Sequence, residues 1–349
     1  MAREQPCRPF LPPEWARQSG VMLTWPHAHG DWAGDLDGAE RAFTAIARAV
    51  AEREKVLVVC FDTDHRERLR RTLIESGLRA GQLLCAAVAS NDTWARDHGP
   101  ITVLCRDQPA IFDFQFNGWG GKYRADLDNA VTAHLHAQGV FRDAPREQID
   151  LVLEGGSIDV DGCGTLLTTR SCLLAPTRNP GFTQPQIEER LSELLGINRI
   201  LWLDHGRLAG DDTDGHIDTL ARFCNSETIA YVACDDPADQ HFDELGSMAR
   251  ELRDLKSAAG SSYRLVPLPL PRPQYDTEGT RLPATYANFL IINGAVLVPT
   301  YDDPADEVAL RRLRNCFPDR ALVPIDCSAL IRQFGSLHCV TMQLPAGVL

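Results

Sequence analysis

The chain has 349 residues, 44% of them hydrophobic and 24% charged, with a formal net charge of −13 at pH 7. This composition is typical of a globular protein, and the length suits one large domain or two ordinary ones. The negative charge disfavours nucleic acid and anionic membranes as partners and favours small cationic molecules.

Short apolar runs alternate with amphipathic stretches along the chain, which predicts an α/β fold. Predicted strands lie at residues 21–25, 56–61, 83–89, 101–105, 111–116, 149–153, 200–203, 216–223 and 228–233. Predicted helices cover residues 39–55, 64–76, 127–138 and 183–196. The last of these begins with a capping box formed by Thr183 and Gln186.

The chain also lacks the patterns of membrane and secreted proteins. The longest apolar stretch, residues 289–299, is too short to span a bilayer, and residues 1–15 contain no apolar run of signal-peptide length. Eleven cysteines are scattered without a Cys-x-x-Cys pair. We therefore expect a cytoplasmic protein with reduced, mostly buried thiols, one of them a candidate nucleophile.

An internal repeat indicates how the fold is organised. The motif Asp-Asp-Pro-Ala-Asp occurs at residues 235–239 and 302–306, each time after a predicted hairpin and at the expected start of a helix. The offset of 67 residues (302 minus 235) predicts one supersecondary unit, used about five times over this length. Chance reuse of a favourable helix start is the alternative.

Polar residues occur at joins between predicted elements at similar intervals. Asp97, Glu154 and His216 are 57 and 62 residues apart, and Cys339 lies 123 residues beyond His216. If five units surround an axis, equivalent joins meet at its centre and bring these four residues into one pocket. Asp218 is expected to join them, because residues two apart in the predicted strand 216–223 point to the same side.

The unit skipped between His216 and Cys339 corresponds to residues 275–286. This segment is long and polar, which favours a role as a lid over the pocket.

Three carboxylates, an imidazole and a thiol together suit chemistry on a guanidinium group. Carboxylates bind this planar cation through paired hydrogen bonds, and a thiolate can attack its central carbon. Histidine can protonate the departing ammonia and later activate water. An acidic pocket should raise the pKa of the Cys339 thiol, and a bound cation should reverse this effect.

Six motifs carry a family resemblance: NDTWARDHGP at 91–100, FQFNGWGG at 114–121, LEGGSI at 153–158, GCGTLLTT at 162–169, DGHIDTLARF at 214–223 and LHCVT at 337–341. With them the chain resembles the agmatine deiminases, which belong with the bacterial peptidylarginine deiminases to the guanidine-modifying superfamily. The resemblance implies a five-module α/β propeller (pentein) with pseudo-fivefold symmetry around a central active site. It also implies a single catalytic domain over residues 1–349.

The implied activity is hydrolysis of agmatine to N-carbamoylputrescine and ammonia, a step of putrescine and polyamine biosynthesis that needs no metal or cofactor. By the same resemblance, Cys339 is the nucleophile that forms a covalent amidino intermediate and His216 is the general acid and base. Glu154 supports the histidine, and Asp97 and Asp218 bind the guanidinium group.

Other candidate residues concern the rest of the substrate. Trp94 and Trp119 are candidates for walls along its methylene chain, with plain packing as the alternative. An amine at the far end of agmatine needs an anion, for which Asp212 is a candidate together with Asp211 and Asp214.

Alternative functions and partners are also considered. A deiminase of free arginine would need a cation for the substrate carboxylate, such as Arg96, Arg124 or Arg178, and a deiminase of peptidylarginine would need an open cleft. A metal-dependent amidohydrolase would use His27 and His29 as paired ligands. Enzymes of this size commonly form homodimers, which is the expected oligomeric state.

Overall fold

The computed structural model describes residues 8–349, so the first seven positions of the expected catalytic domain and of the N-terminal segment lie outside the described residues. The strands are β1 (Gln18–Thr24), β2 (Lys55–Cys60), β3 (Leu83–Ala87), β4 (Ile101–Cys105), β5 (Gln108–Gln115), β6 (Arg146–Val152), β7 (Asp159–Val160), β8 (Thr165–Thr169), β9 (Arg199–Leu203), β10 (Ala221–Asn225), β11 (Thr228–Val232), β12 (Arg264–Leu268), β13 (Leu290–Ile292), β14 (Ala295–Thr300), β15 (Ala321–Asp326) and β16 (Thr341–Pro345).

The helices are of two kinds. The longer ones are α1 (Leu36–Ala51), α2 (Thr63–Glu75), α5 (Val131–Ala137), α7 (Gln184–Leu195), α8 (Phe242–Asp254) and α9 (Ala305–Arg314). Single turns form α3 (Ala95–His98), α4 (Gly118–Gly121) and α6 (Arg170–Leu173). The predicted α/β class is confirmed. Within residues 8–349, no helix is both long and apolar enough to cross a bilayer.

The strands of residues 8–349 form five sheets with a recurring pattern. Four sheets have three strands, in the orders β4-β5-β6, β7-β8-β9, β10-β11-β12 and β13-β14-β15, and one has four strands, β16-β1-β2-β3. In every sheet an antiparallel pair is followed by a parallel pair. The four-stranded sheet joins the two ends of the chain, with Leu23 on β1 opposite Thr341 on β16.

Local sequence explains the regular elements. One face of α1 is apolar and buries Phe43, Ile46 and Val50 against the sheets. Helix α7 begins at the predicted capping box of Thr183 and Gln186 and ends at Gly196, whose φ of 70° is readily adopted by glycine. The largest apolar cluster contains residues of α1, β1, β2, β13 and β14, so the main hydrophobic core lies between this helix and these strands.

The two copies of the repeated motif differ in structure. Both copies share one bond, in which the backbone N–H of the alanine donates to the second aspartate over 2.9 Å, but only in the second copy does a helix, α9, begin there, at Ala305. The first copy forms a turn, and α8 begins only at Phe242, so the prediction that this copy opens a helix was wrong. The physical reason is a competing ion pair: Asp239 binds the Arg281 guanidinium through two contacts of 2.7 and 2.8 Å.

The predicted strand at 216–223 was wrong in its first half. Residues 217–219 form a 3₁₀ turn, and β10 begins at Ala221. The Thr219 hydroxyl donates to the His216 carbonyl over 2.9 Å, and this bond favours the turn over an extended ladder. The predicted helix 127–138 is likewise divided, into a 3₁₀ turn at Asp128–Ala130 and α5.

Candidate active site

A cavity of about 190 Å³ lies among five loops. These loops follow β1, β3 and β5 and precede β10 and β16. The last four contribute predicted residues to the lining, among them Asp97, Trp119, His216 and Cys339. The structure therefore brings together residues that are far apart in the sequence.

Cys339 lies at the base of this cavity with 9% of its surface exposed. Its Sγ is 3.4 Å from Asn288 Oδ1, to which the thiol can donate, and 4.0 Å from Asp218 Oδ2. Burial raises the pKa of the Cys339 thiol well above its ordinary value, and the negative charges of Asp218 and Asp97 raise it further. The sequence predicted that the pKa of Cys339 would be raised by nearby carboxylates; the pKa is raised, but burial contributes more than the carboxylates do.

Two buried carboxylates lie close to Cys339 and His216. Asp97 lines the cavity, whereas Asp218 and Glu154, which were also predicted to lie in the pocket, are buried behind its lining. Asp97 accepts from the Gly156 backbone N–H at Oδ1 and from the Trp119 indole N–H at Oδ2, both over 3.0 Å. Burial raises the pKa of Asp97 to about 6; nearby carboxylates add to the shift and His216 opposes it. Asp218 Oδ2 is 2.7 Å from the His338 ring, whereas its buried Oδ1 has no hydrogen-bond partner within residues 8–349.

His216 lies between two acids. Its Nδ1 is 3.6 Å from Asp97 Oδ1, and its Nε2 is 3.5 Å from Glu154 Oε2. Burial alone would lower the pKa of His216, but Asp97, Cys172 and Glu154 together hold this pKa well above its ordinary value. The imidazole is therefore positioned to carry a proton.

Glu154 is held in its charged form behind the imidazole. Burial opposes ionisation, yet His216 and Arg178 keep the pKa of Glu154 below its ordinary value. Arg178 Nε donates to Glu154 Oε1 over 2.9 Å, and the same guanidinium contacts Asp214. The arginine and the imidazole thus share the charge of one buried carboxylate.

Two glycines allow the close packing of the site. A Cβ on Gly156 would lie 2.6 Å from His216 Nδ1 and 2.9 Å from Asp97 Oδ1. A Cβ on Gly335 would lie 2.1 Å from the Trp94 ring. Both positions need glycine for a close approach, not for a bend.

Both predicted tryptophans line the cavity. Trp119 has a φ of 54°, in the left-handed region, and its ring packs edge-on against Phe116 with centroids 5.0 Å apart. Trp94 donates from Nε1 to Asp92 Oδ2 over 2.9 Å and packs against Trp32. Each ring thus lines the cavity and also packs against a second aromatic ring that holds it in position.

Asp212 lies at the rim of the cavity. Its Oδ2 accepts from the Tyr123 hydroxyl over 2.8 Å, and burial raises its pKa. Asp211 also lines the cavity, whereas Asp214 is occupied by Arg178 and Lys122.

His338 belongs to the site and was not predicted from the sequence. Its Nδ1 is 2.7 Å from Asp218 and its Nε2 is 2.6 Å from Glu14 Oε2. Arg222 binds the same Glu14 oxygen over 2.9 Å. The proximity of His338 to Cys339 was a signal for its role, but nothing in the sequence relates Glu14 to them.

Other predicted residues lie elsewhere. The proposed lid at residues 275–286 does not line the cavity but borders a separate groove with Asp236 and Asp239. This prediction was wrong, because Arg281 holds the segment against Asp239. Arg96 is buried against Gln343, and Arg124 forms an exposed pair with Asp126.

The histidine pair suggested for metal does not form a ligand group. His27 Nε2 is 3.2 Å from the Ser90 carbonyl, and its Nδ1 accepts from the His29 backbone N–H. In the described part of the chain, the group of donors spaced closely enough to hold an ion is instead Glu154, Cys172 and His216.

Comparison with known proteins identifies related chains. The family model for Porphyromonas-type peptidyl-arginine deiminase matches residues 10–345. The agmatine deiminase of Pseudomonas syringae is 34% identical, over 96% of this chain and 95% of that protein.

Two solved structures extend the comparison. A Porphyromonas gingivalis protein, provisionally named an arginine deiminase, has 52% identity and a TM-score of 0.92, over 98% of this chain and 99% of that one. A cysteine-to-serine variant of C. jejuni agmatine deiminase with substrate bound has 37% identity and a TM-score of 0.89, over 97% and 96% of the two chains.

Proposed function

We propose, from the premise that this chain belongs to the Porphyromonas-type peptidyl-arginine deiminase family, that it is an agmatine deiminase. In this reaction agmatine is hydrolysed to N-carbamoylputrescine and ammonia. Cys339 is the nucleophile, His216 is the general acid and base, and Asp97 and Asp218 bind the guanidinium group.

The observation that carries the proposal is the unpartnered Oδ1 of Asp218. Within residues 8–349 this buried carboxylate oxygen has no donor, although a thiol lies 4.0 Å from its other oxygen. A buried acceptor without a partner is costly unless a ligand supplies the hydrogen bond. A guanidinium group has planar N–H donors on several sides, so it can bind Asp218 and Asp97 while its carbon faces Cys339.

The charges of the site suit the first chemical step. A bound guanidinium offsets the carboxylates that raise the pKa of Cys339, so the substrate promotes loss of the thiol proton. The thiolate forms a bond to the guanidinium carbon, His216 gives a proton to the departing nitrogen, and ammonia leaves. Glu154 and Asp97 keep His216 charged for this transfer.

Water completes the reaction. The neutral imidazole of His216 takes a proton from water, and the water oxygen attacks the amidino carbon. The carbon–sulfur bond then breaks and N-carbamoylputrescine is released. The hydroxyl proton of the intermediate returns to the Cys339 sulfur and replaces the proton that the thiol gave to solvent at the start. No electron transfer is involved, so the cycle needs no redox cofactor.

The lining of the cavity favours an amine over a carboxylate at the far end of the substrate. Apart from His216, its charged side chains are acidic, including Asp31, Asp211 and Asp212, and neither lysine nor arginine lines it among residues 8–349. Asp212 is our candidate for binding the primary amine, and Trp94 and Trp119 flank the methylene chain. Arginine is the second candidate substrate, because the P. gingivalis relative is provisionally named an arginine deiminase.

A substrate panel tests this proposal. Ammonia release is measured with agmatine, arginine, a blocked arginine peptide and butylguanidine, which has the agmatine chain without its amine. We expect agmatine to be the best substrate. Turnover of arginine or of the peptide at a comparable rate would overturn the specificity, and no release from any guanidine would overturn the function.

The variant Asp212→Asn tests the amine site separately. Loss of a hydrogen bond between charged groups costs about 1.5–3 kcal/mol, so kcat/KM for agmatine should fall roughly 10–150-fold. The value for butylguanidine should change little. An equal fall for both compounds would show that Asp212 does not recognise the amine.

A chelator and iodoacetamide separate this mechanism from a metal-dependent amidohydrolase. We expect the thiol reagent to inactivate the enzyme and the chelator to leave it active. Inactivation by the chelator alone would favour the metal-dependent mechanism.

The finer architecture and context form part of the same proposal. We place the five sheets around the cavity as five modules of an α/β propeller with pseudo-fivefold symmetry, in a single catalytic domain over residues 1–349. The recurring pairing pattern and the contact of β16 with β1 support this arrangement. A homodimer in the cytoplasm acting in putrescine synthesis is the expected context, and light scattering in solution tests the dimer.

A further inference from the structure

Three buried side chains from separate parts of the chain converge behind the imidazole. Glu154 follows β6, Cys172 lies in α6, and His216 precedes the turn before β10. One donor atom of each lies within 4.8 Å of the other two. The proposed reaction uses Glu154 and His216, whereas the Cys172 thiol takes part in no bond-making step and acts there only through the pKa of His216.

The spacing of these atoms is close to that around a tetrahedral metal ion. His216 Nε2 is 3.5 Å and Cys172 Sγ is 3.8 Å from Glu154 Oε2. Zinc bonds of about 2.0–2.3 Å place neighbouring ligand atoms roughly 3.3–3.6 Å apart. The two gaps at Glu154 Oε2 need to shorten by only a few tenths of an ångström, and the third pair of donor atoms lies within 4.8 Å.

A second observation points to a missing ligand. The Nε2 atom of His216 is buried and has no hydrogen-bond partner in the part of the chain that the structure describes. This atom faces Glu154, whereas Nδ1 of the same ring lies on the side of Asp97 and Gly156. An ion bound to Nε2 would therefore leave the cavity side of the ring in place.

The local charge is compatible with a dication. Zn²⁺ replaces one proton on sulfur and one on the imidazole, so the net charge of the cluster does not change. Arg178 binds the other oxygen of Glu154 and is itself balanced by Asp214. One thiolate and one imidazole favour zinc over the oxygen-seeking ions Mg²⁺ and Ca²⁺.

We propose that Glu154, Cys172 and His216 form an inhibitory site for a thiophilic dication such as Zn²⁺. Metal on Nε2 prevents His216 from accepting and releasing its proton, so turnover stops while the ion is bound. Asp97, Asp218 and Cys339 are not ligands, so the guanidinium site stays open. Inhibition should therefore lower kcat and leave KM almost unchanged.

Binding is tested first without turnover. The variant Cys339→Ser removes the competing thiol that lines the cavity, and Co²⁺ serves as a spectroscopic probe in place of Zn²⁺. We expect one ion per chain with a thiolate-to-cobalt charge-transfer band, and competition by Zn²⁺. Adding Cys172→Ser should remove the band and weaken metal binding at least tenfold.

Inhibition is tested in chains that retain Cys339. Inhibition of each variant is measured relative to its own rate without Zn²⁺. On this scale Cys172→Ser should need at least ten times more Zn²⁺ for half inhibition, whereas Cys163→Ser, which alters an exposed thiol, should behave like the unmodified chain. Cys172→Ala serves as a second variant if the serine variant folds poorly.

Three results would each overturn the inference: no ion bound to Cys339→Ser, a cobalt band that persists without Cys172, or zinc inhibition unaffected by loss of Cys172. The cobalt measurement needs no substrate, so it separates failure of this inference from failure of the proposed activity.

Discussion

The hydrogen bond from Trp119 to Asp97 should control the pH at which the enzyme begins to bind its substrate. The indole Nε1–H donates to Asp97 Oδ2 over 3.0 Å in a buried setting. This bond stabilises the ionised carboxylate, which is the form that binds a guanidinium group. Trp119→Phe keeps an aromatic ring but removes the N–H donor together with part of the ring volume, so the shift of the pH profile, and not the absolute rate, is the readout.

The size of the effect follows from the bond that is lost. A hydrogen bond to a charged group contributes about 1.5–3 kcal/mol. Because one pKa unit corresponds to about 1.4 kcal/mol, its removal should raise the pKa of Asp97 by roughly 1–2 units. The starting value is already raised, to about 6, chiefly by burial. Protonation occurs below the pKa, so the variant should lose activity at a higher pH than the unmodified chain.

The assay is kcat/KM for agmatine measured across pH. The acid limb should lie near pH 6 in the unmodified chain and roughly 1–2 units higher in Trp119→Phe, with most of the activity recovered at alkaline pH. Phe116→Leu is the control, because it alters packing on the same ring and keeps the N–H bond. A fall of equal size at every pH, with the limb unmoved, would refute the reasoning.

Two further predictions concern buried charges. Burial raises the pKa of Glu54 from 4.5 to about 7 in the folded protein. Between these two pH values the unfolded chain loses the Glu54 proton and the folded chain keeps it, so the free energy of unfolding falls as the pH rises from 4.5 to 7. Glu54→Gln should keep the hydrogen bond from the Asn293 backbone N–H. Measured by urea unfolding, its free energy of unfolding should rise by up to roughly 3 kcal/mol at pH 8 and change little at pH 4.5. An equal rise at both pH values would contradict this prediction. His338→Gln removes ring contacts with Asp218 and Glu14 and should lower kcat/KM by about 10–150-fold. It should also steepen the fall of kcat/KM below the Asp97 limb, because the His338 contact lowers the pKa of Asp218 and its loss brings a second carboxylate into that pH range. A pH profile of unchanged shape would assign His338 a structural role only.

Patterns over short stretches predicted much of the fold. The strands β2, β4, β5 and β11 lie close to their predicted positions, because runs of apolar and β-branched residues dominate there. The boundaries failed where side chains bind the backbone. The hydroxyl of Thr219 stabilises a turn in place of the predicted strand start, and periodicity carries no trace of such a bond.

The site was predictable where chemistry-bearing residues occur in compact motifs. The structure brings the motif residues Asp97, His216 and Cys339 to one cavity. The acid behind His338 was not predictable, because Glu14 is 324 positions away and belongs to an unremarkable N-terminal stretch. Contacts at such separation depend on the closure of β16 onto β1, which becomes visible only in three dimensions.

The most direct test of the account is rapid-quench mass spectrometry of the enzyme during turnover of agmatine. The account predicts an amidino adduct on the peptide that contains Cys339, formed and consumed at rates consistent with turnover and absent in Cys339→Ser. Product formation by Cys339→Ser at an undiminished rate, or an adduct on another cysteine such as Cys172, would contradict the central claim that the Cys339 sulfur attacks the guanidinium carbon.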